Sequence, residues 1–171
     1  MQGIRIRHAL ASDAQAIEDV LDAAFGADRH RRTAYRVRQG TQPVAAFSFV
    51  AEREGRVEAS LQCWPVVLRH DGQVTPLVML GPVAVAPPLQ GTGIGKALMR
   101  HALEALDAKG TPATMLIGDA EYYGRFGFAA DPARRWELPG PFERHRLLVR
   151  LANGAPLPQN GEVGPDTGDR D

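Results

Sequence analysis

The spacing of apolar and polar residues changes several times along the chain, and each change marks an element. Residues 3 to 7 alternate around Ile4 and Ile6, which predicts a short edge strand. Ser12 and Gln15 read as a capping box, and Ile17, Val20, Leu21, Ala24 and Phe25 then recur on one helical face until Gly26. A second short helix is expected within 28 to 39, ending at Gly40. Three extended stretches follow, over 44 to 53, 56 to 69 and 74 to 86. Glu54-Gly55-Arg56 reads as the hairpin turn between the first two, and His70-Asp71-Gly72 as a second turn, with the Asp-Gly pair that tight hairpins favour. In the second stretch Val57, Ala59, Leu61 and Cys63 fall on one face, and Glu58, Ser60 and Gln62 on the other. Gly81-Pro82 interrupts the third, which predicts a bulge or bend, since proline cannot donate to a ladder.

Past Pro87-Pro88 the period changes to that of a helix over about 93 to 109, with Ile94, Ala97, Leu98, His101, Ala105 and Leu106 as its buried stripe and Gly110 as its stop. Residues 113 to 118 read as a buried strand, 120 to 126 as a short helix capped by Asp119, Phe128 as the start of another extended piece, and 147 to 151 as a last strand. From Asn153 onward Gly, Pro, Asp and Asn replace large apolar residues, so 1–152 reads as one domain and 153–171 as a disordered tail. A meander followed by a strand-turn-helix-strand unit predicts an α/β fold: a mixed sheet with helices on both faces.

Composition narrows the function. The 171 residues carry 20 basic and 20 acidic side chains, and this zero net charge argues against a nucleic-acid partner held by a broad basic face. No apolar run reaches the roughly 18 residues of a membrane span, and the first residues lack a signal-peptide pattern. One cysteine, Cys63, makes no internal disulfide, and the five histidines show no metal-ligand spacing. A cytoplasmic protein without a metal is the expectation.

The chemistry concentrates between Val83 and Lys96. A strand ending in Val83-Ala84-Val85 runs into Gln90-Gly91-Thr92-Gly93-Ile94-Gly95-Lys96, a glycine-rich turn that opens a helix. Helix starts leave about four backbone amides unpaired and carry roughly half a positive charge, so such a turn suits a phosphate. Two familiar phosphate motifs fail here. The frame ending at Gly95-Lys96 begins with Gln90 and is followed by Ala97, which breaks a Walker A loop. The third glycine of the dinucleotide fingerprint falls on Lys96 or Leu98.

The spacing Gln90, Gly93, Gly95 resembles instead the turn of the GNAT superfamily, the Gcn-related N-acetyltransferases, and the chain is similar over 3 to about 152 to small predicted bacterial acetyltransferases. The resemblance implies a mostly antiparallel central sheet with splayed central strands. It also implies acetyl-CoA as co-substrate, with the pyrophosphate on Gln90, Gly91, Thr92, Gly93, Ile94, Gly95 and Lys96 and the pantetheine arm along Val83, Ala84 and Val85. Glu121-Tyr122-Tyr123-Gly124-Arg125-Phe126-Gly127-Phe128 resembles a second family motif. Its tyrosine, Tyr123 here, would give a proton to the departing thiolate, and an ordinary phenol with a pKa of about 10 suits that task.

Several residues keep two readings. Tyr123 is a catalytic acid or a core tyrosine beside Phe126 and Phe128. Asp119 is a helix cap before it is a base, and Cys63 a small buried hydrophobe before it is a nucleophile. Glu52 and Glu58 read as solvent-facing, so no general base is nominated. Arg29, His30, Arg31, Arg32, Arg36 and Arg38 form a solvated basic face or attract an acidic substrate. Trp64 and Trp136 line an acceptor pocket or simply pack. The expected activity is transfer of an acetyl group to a primary amine of a small molecule or peptide, by a monomer or homodimer. The alternative is a non-enzymatic module that binds or senses acyl-CoA on the same fold.

Overall fold

A computed structural model describes residues 3–152 and 154–168. Its strands are β1 (Arg5–His8), β2 (Phe49–Arg53), β3 (Arg56–His70), β4 (Gln73–Val85), β5 (Ala113–Ile117), β6 (Arg135–Glu137), β7 (Leu147–Leu151) and β8 (Asn160–Pro165). Its α-helices are α1 (Ala14–Phe25), α2 (Thr33–Val37), α3 (Ile94–Ala108) and α4 (Ala120–Tyr123). The fold class is mixed α/β with a mostly antiparallel sheet. The residues form two compact units that interleave in sequence: 1–30, 43–63 and 81–109 in one, and 31–42, 64–80 and 110–171 in the other.

In the first unit the strand order is β1-β2-β3-β4. Glu54 and Gly55 both have positive φ (52° and 76°), which is the two-residue turn that lets β2 and β3 twist together. Helices cover both faces of this sheet. Val50 packs with Ile17, Val20 and Leu21 of α1, and Ala84 of β4 joins the same cluster. Phe49, one residue earlier on β2 and so on the other face, meets the His101 ring of α3 at 5.8 Å. The buried stripe of α3 is Ile94, Leu98, Met99, Ala102, Leu103 and Leu106. It lies slightly round from the expected face, and His101 is exposed.

The start of α1 also departs from expectation. A 3-10 turn over Ala11–Asp13 precedes it, and the cap is made by Asp13 in place of Ser12 and Gln15. The Asp13 carboxylate accepts from the Leu10 amide at 2.7 Å and from Arg7 at 2.7 and 2.9 Å. These bonds to Arg7, ahead of the backbone bond, hold the Asp13 carboxyl below the usual carboxylate range. The polar face expected for β3 is absent, since Ser60 is fully buried and Gln62 nearly so: β3 is covered on both sides. The 44–53 stretch is extended only from Phe49, because a 3-10 turn occupies Ala45–Phe47.

In the second unit the order is β3-β4-β5-β7, with β8 on β3 and β6 on β8. Asp71 and Gly72 (φ 47° and 74°) make the β3–β4 turn. The parallel ladder of β4 and β5 pairs only Val78 with Thr114 and Met79 with Met115, so Leu80 and Leu116 already lie outside it, as separating strands require. The core holds Val66, Leu68, Leu77, Met79, Met115, Leu147, Val149, Val163 and Trp136.

The largest correction falls at the end of the chain. The stretch read as a disordered tail contains β8, whose Glu162, Val163, Gly164 and Pro165 pair with Arg69, Leu68, Val67 and Val66. Val163 is buried in the core, and the Pro158 carbonyl accepts from the Trp136 indole at 3.0 Å. A fully buried Trp contributes on the order of 4–6 kcal/mol, and it needs that carbonyl to satisfy its N–H. Residues 153 and 169–171, also assigned to that tail, lie outside the described residues.

Candidate functional site

The first unit joins strand, glycine-rich turn and helix in the expected order. β4 ends at Val85, a 3-10 turn covers Pro87–Leu89, and α3 begins at Ile94. Val83 and Val85 are half-buried, and Ala84 points into the core beneath α1. Gln90 reaches back so that its amide donates to the Val85 carbonyl at 3.1 Å, which ties the turn to the end of the strand. The Thr92 hydroxyl donates to the Leu89 carbonyl at 2.6 Å, so it braces the turn and still has lone pairs to offer. Gly91 and Gly93 adopt φ of 80° and 91°, and Gly93 caps α3 in the left-handed region.

A side-chain carbon added at either glycine would meet nothing within 4 Å. Glycine is therefore required by the backbone path, and the space in front of the turn is open. Helical bonding starts with the Ala97 amide on the Gly93 carbonyl at 3.1 Å, which leaves the amides ahead of it at the helix end, facing that space. Lys96 is exposed one turn inside, Gly95 half-buried and Ile94 anchored in the core. This set suits the two phosphates of a nucleotide-like anion: close backbone donors, a helix-end partial charge, one cation and no nearby carboxylate in the turn.

Tyr123 stands in the second unit, at the end of α4. The Asp119 carboxylate caps this helix by accepting from the Glu121 amide at 3.0 Å, so Asp119 takes the cap reading. The Tyr123 ring sits edge-on to Tyr122 at 4.9 Å and to Phe128 at 6.2 Å. Burial, then the neighbouring Tyr122, pushes its phenol up to about 12; Asp119 raises it further and Arg146 pulls against them. That is a weaker acid than the ordinary phenol expected from the sequence, and one that stays protonated throughout the neutral range.

The other candidates resolve differently. Cys63 is fully buried and burial pushes its thiol up, away from nucleophilic use. Glu52 is held by Arg7 at 3.1 Å and Glu58 lies 3.6 Å from Arg53, so neither is the solvent-facing carboxylate expected. The basic stretch is not a uniform solvated face. Arg29 is buried against Glu18 and Asp22. Arg38 is also buried, its guanidinium lying 4.1 Å from the Tyr35 ring and 3.9 Å from the Trp64 ring. Trp136 is core, whereas Trp64 is half-buried and its indole N–H has no hydrogen-bond partner among the described residues. Among the described residues no cluster of three or more His, Cys, Asp or Glu side chains could hold a metal ion, and no helix is long and apolar enough to cross a membrane. The sequence reading missed Gly118. It lies buried between β5 and Asp119, and the Tyr123 ring rests against it.

Comparison with known proteins fits this picture. The family described as "Acetyltransferase (GNAT) domain" matches residues 5–130. The chain is 29% identical over 157 residues to the "uncharacterized N-acetyltransferase YjhQ" of Escherichia coli, which covers 89% of this chain and 86% of that protein. Among solved structures it is similar to a GNAT family acetyltransferase from Brucella melitensis in complex with acetyl-CoA (TM-score 0.69, 29% identity, 98% of each chain). It is also similar to the E. coli N-acetyltransferase YhbS in complex with CoA (TM-score 0.72, 26% identity, 95% of this chain and 89% of that one).

Proposed function

Because the chain belongs to the GNAT acetyltransferase family, we propose that it transfers the acetyl group of acetyl-CoA to a primary amine of a small molecule or peptide, in the cytoplasm. The observation that carries this reading is the cradle from Gln90 to Lys96: an open turn with two left-handed glycines at the start of a helix. The turn and its amides take the pyrophosphate, with Lys96 adding a charge, and the half-buried edge of Val83 to Val85 offers backbone groups to the pantetheine arm. The similarity to structures holding acetyl-CoA and CoA supports the choice of anion.

In the mechanism, strand amides near Val83 to Val85 polarise the thioester oxygen, and the amine attacks the carbonyl carbon. The carbon–nitrogen bond forms, the carbon–sulfur bond breaks, and the sulfur leaves with its electron pair and the proton of the Tyr123 hydroxyl. The tyrosinate left behind, whose phenol stands near 12, is a strong enough base to recover the proton that the new amide nitrogen sheds. One group thus closes the proton balance without a carboxylate on β2 or β3, where both are ion-paired. Holding the two reactants together supplies up to roughly 7–11 kcal/mol in favourable cases.

Calorimetric titration with acetyl-CoA, CoA and NADH tests the cradle. Micromolar binding of the first two without NADH is the expected result, and no binding of either overturns the reading. Thiol release from acetyl-CoA with an alkylamine, a polyamine and a lysine-containing peptide then tests transfer. Tight binding without release for all three favours the acyl-CoA-sensing alternative, which draws on the lack of an unpaired carboxylate base at Glu52 and Glu58.

A further inference from the structure

Gly118 follows β5 directly, is buried, and lies five positions before Tyr123 (123 − 118 = 5). Unlike the glycines of the phosphate cradle, it has no left-handed backbone to explain it; its reason is space. A side-chain carbon built there would fall 2.5 Å from Cε2 and 2.9 Å from Cδ2 of Tyr123, and 3.1 Å from Cδ1 of Leu116. Ordinary carbon contacts start at 3.4 Å. The ring edge therefore rests against backbone that only glycine leaves bare. Two hydrogen bonds hold that backbone on either side. The Gly118 amide donates to the Arg146 carbonyl at 2.8 Å, and Asp119 caps α4 through the Glu121 amide. The ring is closed in on its other sides by Tyr122 and Phe128.

We propose that Gly118 is a positioning residue for the reaction: the room left by its missing side chain sets where the Tyr123 hydroxyl stands. This inference rests on the proton-donor reading of Tyr123. Both contacting ring carbons, Cδ2 and Cε2, lie on one edge of the phenol, so a methyl group at 118 displaces that edge and the hydroxyl moves with the ring. Restoring an ordinary contact from 2.5 Å moves the ring by about 1 Å, a displacement that costs on the order of 100-fold when a reacting group must be aligned. The nearest atoms belong to Tyr123 and Leu116, neither of them a proposed cofactor-binding residue, so the loss should fall on the rate.

The test is Gly118→Ala, measured alone and combined with Tyr123→Phe, by thiol release from acetyl-CoA with the best acceptor of the amine panel. Expected for Gly118→Ala is a roughly 100-fold fall in kcat with KM for acetyl-CoA within about twofold. A phenylalanine keeps both ring carbons that meet the new methyl group, so it feels the same crowding but has no hydroxyl to misplace. Adding Gly118→Ala to Tyr123→Phe should therefore lower kcat no further. An equal further fall in both backgrounds would mean a merely structural role and overturn the inference. If Tyr123→Phe lowers kcat and Gly118→Ala does not, the Gly118 inference falls alone. If Tyr123→Phe leaves kcat unaltered, the donor reading falls, and the inference with it. Should Gly118→Ala not fold, Gly118→Ala with Phe128→Leu gives the ring somewhere to go, and Phe128→Leu alone is its control. A crystal structure of either folded variant needs no acceptor: a hydroxyl displaced by about 1 Å supports the inference, and an unmoved one overturns it.

Discussion

Gly93 and Gly118 are both buttresses of the proposed chemistry, and they are glycine for opposite reasons. Gly93 has a left-handed backbone and open space around it; Gly118 has no left-handed φ and is pressed by a ring. The first is demanded by the path of the chain, the second by a neighbour. Replacing a glycine of the first kind strains the backbone and blocks ligand approach, while replacing one of the second kind is felt by the side chain that fills the room.

The sharpest way to break this contrast is Gly93→Val. The variant should bind acetyl-CoA at least 100-fold more weakly by calorimetry, because a β-branched residue resists φ of 91° and its side chain enters the ligand's space. Its melting temperature should fall by much less than that of a core variant. Unchanged affinity would remove the cradle from the site. Gly161 on β8 supplies the complementary case: a glycine crowded by Arg69 and Leu68 in place of Tyr123. A side-chain carbon there would lie 2.7 Å from the Arg69 carbonyl and 2.8 Å from Leu68 Cδ1. Gly161→Ala should cost about 1–3 kcal/mol in denaturant unfolding and leave kcat unchanged. Full stability would mean that β8 is not seated on β3 as described.

Charge sharpens the comparison where shape is not the issue. Asp13 holds Arg7 and the Leu10 amide at the entry to α1, and Asp13→Asn should cost about 2 kcal/mol at neutral pH. The folded state holds this carboxyl below its unfolded value, so its contribution is present above pH 4 or so and is lost as the pH falls further. The stability curves of wild type and variant should therefore converge in acid, and a gap independent of pH would refute the ion pair. The smallest effect belongs to Ser60, whose fully buried hydroxyl has no hydrogen-bond partner among the described residues. Ser60→Ala should be neutral or stabilising by up to about 1 kcal/mol, and a clear loss of melting temperature would show that the hydroxyl is satisfied after all.

The same distinction explains what could be read from the sequence. Features set by the chain's own path were legible: hairpin turns at Glu54-Gly55-Arg56 and at Asp71-Gly72, α3 behind its glycines, Asp119 as a cap. Their signals are local, because a positive φ or an unpaired helix amide calls for particular residues in place. Features set by distant neighbours were not. β8 offers one core side chain, Val163, between glycines, and it is a strand because β3 and β6 lend it partners. Ser60 is buried because helices cover the sheet that carries it, which no alternation along β3 can reveal. Gly118 read as the last residue of a buried strand, and its meaning depended on where a ring five positions later comes to rest.

The pairing of β8 with β3 also bears on the order in which the molecule can take shape. Val66 and Pro165 are ladder partners 99 positions apart (165 − 66 = 99), so a very long loop must close before that ladder exists, and such non-local contacts slow folding. The unit with the proposed phosphate cradle has its last residue at Lys109, whereas the unit with Tyr123 lacks part of its sheet until residue 165, 56 positions later (165 − 109 = 56). During synthesis, at roughly 5–20 residues per second, every residue of the cradle's unit is therefore made several seconds before the strand that completes the tyrosine's unit. A growing chain thus holds its proposed means of gripping the acetyl donor before it holds the finished surroundings of its proposed proton donor.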